Sequence, residues 1–170
     1  MSGPLPEKVI DSLSNSKFIH LATSYKDRPH VSLMNFTFIN NKDKNEQLIL
    51  VATCKNTKKY DNLINNKNVS VLVHDWVTNT NNAQSNDSSV LKLLQNINQN
   101  QVGDISITLD GYVYQIFNKD DEKYQYYKDL HLLENPDAKA FINGDDVSFI
   151  LIKINESKVS DSNNNVEKFN

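Results

Sequence analysis

Two lysines follow a short polar loop at a point where a chain can readily bind an anion. The segment from Val51 to Lys59 has the pattern of an apolar strand, a loop and a helix that starts near Thr57. The first N–H groups of such a helix lack partners, and the helix dipole places partial positive charge there. Lys58 and Lys59 add full charges, which favours a phosphate site. A capped helix start with solvated lysines is the alternative, and the residues alone leave both interpretations open.

Other reactive side chains receive no catalytic role from the sequence. Cys54 lies beside the lysine-bearing loop, but packing is the favoured interpretation. His30 is interpreted as exposed, and the cluster 74–76 (His-Asp-Trp) as a strand end at a dimer interface. His131, near a helix end, is interpreted as complementing the helix dipole. No catalytic triad or carboxylate pair is recognised, so the catalytic residues stay unknown.

The composition argues against several classes of function. The 170 residues, 38% of them hydrophobic, suit one globular domain, and a net charge of -3 argues against a nucleic-acid-binding surface. The N-terminus lacks a signal-peptide pattern, and no apolar run approaches the ~20 residues that span a bilayer. With one cysteine the chain has neither a disulfide framework nor a cysteine-based metal site. We therefore predict a cytoplasmic protein with no metal, no nucleic-acid partner and no membrane partner.

The anion site is expected to lie on a small antiparallel barrel. Segments rich in β-branched and aromatic residues are separated by short turn clusters, which favours antiparallel pairing. The pattern predicts a mainly β (α+β) fold, a small six-stranded antiparallel barrel, closed or partly closed, with short flanking helices. The six predicted strands are Phe18–Thr23, Val31–Ile39, Leu48–Thr53, Val69–Val73, Ile105–Phe117 and Val147–Ile154.

Helical periodicity and breakers complete the predicted organisation. A single domain is expected over residues 1–155, with a polar insertion loop at 77–89 and a flexible C-terminal tail at 156–170. Gly111 indicates a bulge or bend, with a change of phase, in the fifth strand. The predicted helices are an N-terminal one from Pro6 to about Ser16, Thr57–Asn65, Val90–Ile97 and Asp120–Leu133, the last stopped by Asn135-Pro136.

Three blocks in this order resemble the FMN-binding split barrels related to pyridoxamine 5'-phosphate oxidase. The blocks are Arg28–Phe36, Val51–Lys59 and Asn65–Val73. In that family the second block ends in Ser-Arg-Lys at a helix start, where this chain has Thr-Lys-Lys, and the third contains Asn-Asn-Pro-Arg-Val-Ser. The resemblance implies a split β-barrel that binds FMN at a homodimer interface, with an unknown small-molecule substrate.

The resemblance also implies which residues hold the cofactor. Thr57, Lys58 and Lys59 would bind the phosphate, and the strand end at Ala52 and Thr53 would lie along the ring and ribityl chain. A second wall and one residue near the flavin complete the implied set: Ser32, Leu33, Met34, Asn35 and Ser106.

Two departures from the family pattern leave two functions open. Pyridoxamine 5'-phosphate oxidase itself has an arginine at the position of Ser32, and a C-terminal segment with a tryptophan and an arginine–histidine pair that residues 160–170 lack. The chain would be either a flavin-dependent oxidoreductase acting on a small molecule, or a non-catalytic flavin- or ligand-binding module that has lost oxidase activity.

Overall fold

The computed structural model describes residues 5–74 and 105–170. The predicted insertion at 77–89 and the predicted helix at 90–97 lie outside those ranges. The described strands are β1 (Phe18–Tyr25), β2 (Arg28–Asn35), β3 (Thr37–Asn41), β4 (Glu46–Cys54), β5 (Asn68–His74), β6 (Ser106–Phe117), β7 (Val147–Ser160) and β8 (Val166–Phe169). The described helices are α1 (Glu7–Asn15), α2 (Lys58–Asn65), α3 (Tyr124–Glu134) and α4 (Lys139–Ile142), with a 3₁₀ turn at Pro136–Ala138 before α4.

The strands form one antiparallel sheet that does not close on itself. Their order is β2-β1-β5-β6-β7-β4-β3, and β8 pairs with β7. Every pairing between described strands is antiparallel. The predicted mainly β class with short flanking helices is therefore confirmed, but the described part of the chain has eight strands where six were predicted.

One of the two additional strands arises because the predicted strand Val31–Ile39 is split at Phe36. The part before the break, β2, pairs with β1, whereas the part after it, β3, pairs with β4. Buried Phe36 lies between them, and its carbonyl oxygen accepts a hydrogen bond from Asn135 Nδ2 at 2.9 Å. At the break, a side chain rather than a neighbouring strand thus provides the hydrogen bond to the backbone carbonyl group.

The second additional strand comes from the tail at 156–170, which the sequence predicts to be flexible. Residues up to Ser160 extend β7, and β8 folds back onto it. The carboxylate of Asp161 accepts a hydrogen bond from the backbone N–H of Asn165 at 2.9 Å, which holds the connecting turn. Lys8 of α1 forms an ion pair with Glu167 of β8.

β4 and β7 bury side chains on both of their faces. Ile49 and Ile150 belong to the core of the sheet, whereas Leu50 and Phe149 belong to a second cluster that contains Tyr124 of α3. Since alternate residues face opposite ways, both strands are apolar at successive positions. The second cluster fixes α3 and α4 against the end of β4, where the predicted anion site begins.

Gly111 lies at an irregularity in the pairing of β6 with β7, as predicted. Asp110 pairs with Glu156, and Gly111 pairs with Ile154, so the extra residue is Asn155 on β7. The bulge therefore belongs to the partner strand rather than to β6.

The change of phase inside β6 occurs later than predicted. Every second residue of β6 is buried from Ile107 through Leu109 and Gly111 to Val113, so the alternation continues through the glycine without a break. A second register shift follows Val113, and there the extra residue is Tyr114 of β6.

α3 begins four residues later than the predicted start at Asp120. The carboxylate of Asp121 accepts a hydrogen bond from the N–H of Asn118, so the preceding residues form a turn. The helix stops before Asn135 and Pro136, as predicted. Within the described residues, none of the helices is both long and apolar enough to cross a bilayer.

Candidate functional site

The loop between β4 and α2 is organised by the hydroxyl group of Thr57. Its Oγ1 accepts a hydrogen bond from the N–H of Tyr60 at 3.2 Å, which makes Thr57 the N-cap of α2, at the helix start that the sequence predicts. It donates to the carbonyl oxygen of Cys54 at 2.8 Å. Since its single hydrogen is used there, Thr53 is the donor in the 3.1 Å contact between the two hydroxyls. The Thr57 hydroxyl has no hydrogen left for a ligand.

Lys59 is a half-buried cation at the start of α2. Burial lowers the pKa of its ammonium group, and the neighbouring Cys54 thiol acts in the opposite direction. No carboxylate in residues 5–74 and 105–170 forms an ion pair with Lys59, and neighbouring Lys58 is exposed. The helix dipole also disfavours a cation at this end. An anion placed here would relieve both effects.

A cavity of about 320 Å³ opens beside the start of α2. This volume is within the range of roughly 300–1,000 Å³ that is usual for small-molecule sites. Its walls come from β2, the end of β4, the start of α2, and the segment that runs from α3 to α4. The lining residues are Leu33, Met34, Asn35, Ala52, Thr53, Cys54, Thr57, Lys59, His131, Ala138, Phe141 and Ile142.

Most of the ten residues implied by the resemblance come together at this cavity. Two segments distant in sequence, one on β2 and one spanning β4 and α2, form adjacent walls. The implied residues that line the cavity are Leu33, Met34, Asn35, Ala52, Thr53, Thr57 and Lys59.

Three of the implied residues lie outside the lining. Lys58 is exposed beside Lys59. The hydroxyl oxygen of Ser32 lies 3.4 Å from His30 Nδ1. Ser106 pairs with Ser160 at one end of β7. The cavity lies near the opposite end of β7, where Ser148 pairs with the end of β4 that lines the cavity. Within one chain, Ser106 is therefore remote from the cavity.

The segment from α3 to α4 supplies cavity residues that the sequence does not reveal. His131 and Ala138 are buried, and Phe141 is 76% exposed at the edge of the cavity together with Ile142 of the same helix. These residues reach the site through packing of α3 and α4 on the second core cluster. Cys54 also lines the cavity, and its position after Thr53 was the available sequence signal.

His131 is neutral at pH 7, which contradicts the interpretation that it complements a helix dipole. The residue is 1% exposed, and burial lowers its pKa to about 4. Thr37 Oγ1 lies 3.0 Å from His131 Nδ1, and Asn135 Nδ2 donates to the His131 carbonyl oxygen at 3.1 Å. The polar network is continued by Asn35, which donates to Asn135 Oδ1 at 3.4 Å and also lines the cavity.

The remaining histidines and acidic residues form no metal centre in the described ranges. The rings of His20 and His74 stack with centroids 5.7 Å apart. The other two members of the predicted 74–76 cluster lie outside the described residues. Residues 5–74 and 105–170 contain no group of three or more His, Cys, Asp or Glu side chains that could hold a metal ion.

Solved structures with the same fold include proteins named for different ligands. A FAD-binding protein from Mesorhizobium loti superimposes with a TM-score of 0.61 at 14% identity, over 90% of this chain and 92% of the other. A heme binding protein from Mycobacterium smegmatis gives a TM-score of 0.62 at 13% identity, over 96% of this chain. The chain spans 58% of that second structure. At these identities the likeness establishes the split-barrel fold alone.

Sequence comparisons identify the family. The pyridoxamine 5'-phosphate oxidase family model matches residues 5–156. A pyridoxamine 5'-phosphate oxidase homolog from Schizosaccharomyces pombe is 36% identical over 99% of this chain and 92% of its own length. A homolog from Saccharomyces cerevisiae is 32% identical over 94% of this chain and 92% of its own length. With the shared fold and the cavity at the predicted blocks, the chain belongs to the pyridoxamine 5'-phosphate oxidase family.

Proposed function

We propose that this chain binds FMN in the cavity beside α2 and acts as a flavin-dependent oxidoreductase on a small molecule. The observation that carries the proposal is the half-buried Lys59, which has no ion-pair partner in the described part of the chain. A phosphate there would supply the missing negative charge and restore the pKa of the lysine. It would also accept hydrogen bonds from N–H groups in the first turn of α2.

The other cavity residues suit a planar ring more than a second charged group. Ala52 is small, Met34 is apolar and buried, and Leu33 exposes an apolar side chain at the wall. Thr53 adds a hydroxyl oxygen that can accept a hydrogen bond, and Asn35 adds an amide that can accept or donate. Bound FMN would supply reversible redox chemistry at its ring. The protein residues would then bind the phosphate, orient the ring and restrict water.

We also propose that the functional unit is a homodimer. β2 is an edge strand of the sheet formed by the described residues, and Val31 and Leu33 on it are 65% and 62% exposed. Phe141, at the edge of the same cavity, is 76% exposed. An apolar edge next to a cavity is typical of a surface that a partner covers. A second copy of the chain would then complete the open side of the site.

Two of the structural neighbours are named for a bound cofactor, one for FAD and the other for heme. These names support a ligand-binding cavity, with a flavin and heme as the two candidate ligands. Lys59 favours flavin phosphate, since the lysine is adjacent to a helix start and to the polar wall of Thr53 and Thr57. The non-catalytic alternative is supported by Ser32, which replaces an arginine that the resemblance places beside the cofactor phosphate.

Lys59→Ala is expected to weaken FMN binding at least tenfold, about 1.4 kcal/mol. Riboflavin lacks the phosphate, so its affinity is expected to stay within about twofold. The double variant Lys58→Ala with Lys59→Ala is expected to lose slightly more than Lys59→Ala. Titration of each flavin, followed by quenching of its fluorescence, measures these changes.

Lys55→Ala is the matched control because Lys55 is an exposed lysine on the same loop. Its loss, like that of exposed Lys58 alone, should change FMN affinity by about threefold or less. An FMN dissociation constant that Lys59→Ala leaves unchanged would mean that the phosphate binds elsewhere.

Anaerobic reduction separates an enzyme from a carrier. The FMN-loaded protein is mixed with NADH, NADPH or pyridoxamine 5'-phosphate, and bleaching of the flavin absorbance is followed. Reduction by one donor, with reoxidation by a small-molecule acceptor over many turnovers, supports the oxidoreductase. Flavin that stays oxidised with all donors favours the binding module.

A further inference from the structure

A buried hydrogen-bond network determines which nitrogen of His131 carries a hydrogen. Thr37 is 2% exposed, so its hydroxyl hydrogen needs an acceptor inside the protein. Asn135 Nδ2 approaches Thr37 Oγ1 at 3.2 Å, but it can only donate. Among the described residues, the acceptor in reach of this hydroxyl is His131 Nδ1 at 3.0 Å. Thr37 therefore donates to Nδ1, and the neutral ring carries its hydrogen on Nε2.

The Nε2–H group has no hydrogen-bond partner among the described residues. In the described ranges, the fully enclosed side-chain atoms without a partner are Ser12 Oγ, Asn62 Oδ1 and Ser157 Oγ. His131 Nε2 is without a partner but is not among these enclosed atoms. His131 is one of the residues that line the cavity beside α2, so the cavity is the space from which a ligand would approach its side chain.

The position of His131 differs from that of the proposed phosphate group. It belongs to α3, whereas Lys59 belongs to α2, and Ala52 and Thr53 of β4 also contribute to the wall. A donor without a formal charge, held in a buried network, suits a carbonyl oxygen or a ring nitrogen of a heteroaromatic ligand.

We propose that His131 is a ligand-contacting residue whose Nε2–H donates a hydrogen bond to an acceptor atom on the ring of the bound ligand, with Thr37 as the positioning residue that fixes the tautomer. The inference rests on the proposed flavin site. It adds a specificity-determining donor on α3, a helix outside all three blocks that carry the family resemblance.

The test compares His131→Leu with His131→Gln in titrations with FMN and with riboflavin. His131→Leu removes the donor and is expected to weaken both flavins by about fivefold, since the phosphate is not involved. His131→Gln keeps an N–H donor and is expected to bind both within about twofold of the wild type. The absorbance band of the bound flavin should shift in His131→Leu and not in His131→Gln.

A second variant distinguishes loss of the hydrogen-bond network from loss of folding. Thr37→Val keeps the shape of a residue outside the cavity lining and removes the hydroxyl. It is expected to weaken both flavins by about twofold, with circular dichroism unchanged. Wild-type protein that binds flavin, with His131→Leu equal to it in affinity and spectrum, would overturn this inference and leave the proposed function standing. Wild-type protein that binds neither flavin would overturn both.

Discussion

Gly111→Ala is expected to lower the free energy of unfolding by about 3 kcal/mol, the upper end of the usual cost of overpacking. A Cβ atom at Gly111 would lie 2.4 Å from the backbone carbonyl oxygen of Lys153. That oxygen belongs to β7 beside its bulge, so it cannot turn away as a flexible side chain would. Urea unfolding followed by circular dichroism at pH 7 measures the loss.

Gly144→Ala is the matched control on the same protein. A Cβ atom at Gly144 would have Val147 Cγ2 as its nearest neighbour, at 3.8 Å, which is an ordinary contact. Neither of these glycines has a positive φ, so backbone strain does not enter the comparison. The control should change the free energy of unfolding by no more than about 1 kcal/mol. Equal losses in the two variants would contradict a close approach of β6 and β7 at Gly111.

The second large effect is a loss of stability in mild acid that depends on His131. Its pKa is about 4 in the folded protein against 6.5 for an ordinary histidine, and burial is the cause. Between those two values the unfolded chain binds a proton that the folded chain does not, so stability falls as the pH is lowered. At 1.36 kcal/mol per pH unit, the loss from pH 7 to pH 4 is about 3 kcal/mol from this group.

The measurement is the free energy of unfolding of the wild type and of His131→Gln at pH 7, 5.5 and 4. Carboxylates titrate in both proteins, so the difference between the two curves isolates the histidine. The wild type should lose about 3 kcal/mol more than the variant, mostly between pH 6.5 and pH 4. Parallel losses in the two proteins would mean that the folded protein tolerates a charged His131.

The elements beside the proposed phosphate site were predictable because their signals are local. The N-cap Thr57 and the amphipathic turns that follow it lie within a few residues of one another. The same holds for the end of α3 before Asn135-Pro136. A turn signal also precedes the last strand, since Asp161 can accept hydrogen bonds from the backbone N–H groups of residues just after it. The short strand β8 was nevertheless not recognised from the sequence.

Two features that the sequence missed, the strand break at Phe36 and the place of His131 in the cavity wall, depend on long-range contacts. Phe36 and Asn135, which meet where the predicted strand splits, are 99 residues apart, and Thr37 and His131 are 94 residues apart. Docking of α3 decides both the strand break and the entry of His131 into the cavity wall. A local pattern contains no signal for either, because the apolar run through Phe36 looks like one continuous strand.

Register explains the partial success at Gly111. The glycine indicated an irregularity, and the pairing has one there. Which strand holds the extra residue depends on how β6 and β7 align over their whole length, and that alignment leaves Asn155 of β7 as the extra residue beside the pair of Gly111 and Ile154. The same dependence on pairing separates Ser106 from the cavity within one chain.

FMN binding in the cavity is tested by titration of the ligand-free protein with FMN, with quenching of flavin fluorescence as the signal and hemin as the competing ligand. We expect quenching that saturates at one FMN per chain. We also expect at least tenfold tighter binding of FMN than of riboflavin, since the phosphate would contact Lys59. Flavin fluorescence that stays unquenched at high micromolar FMN, above all if hemin binds under the same conditions, would show that the cavity is not an FMN site.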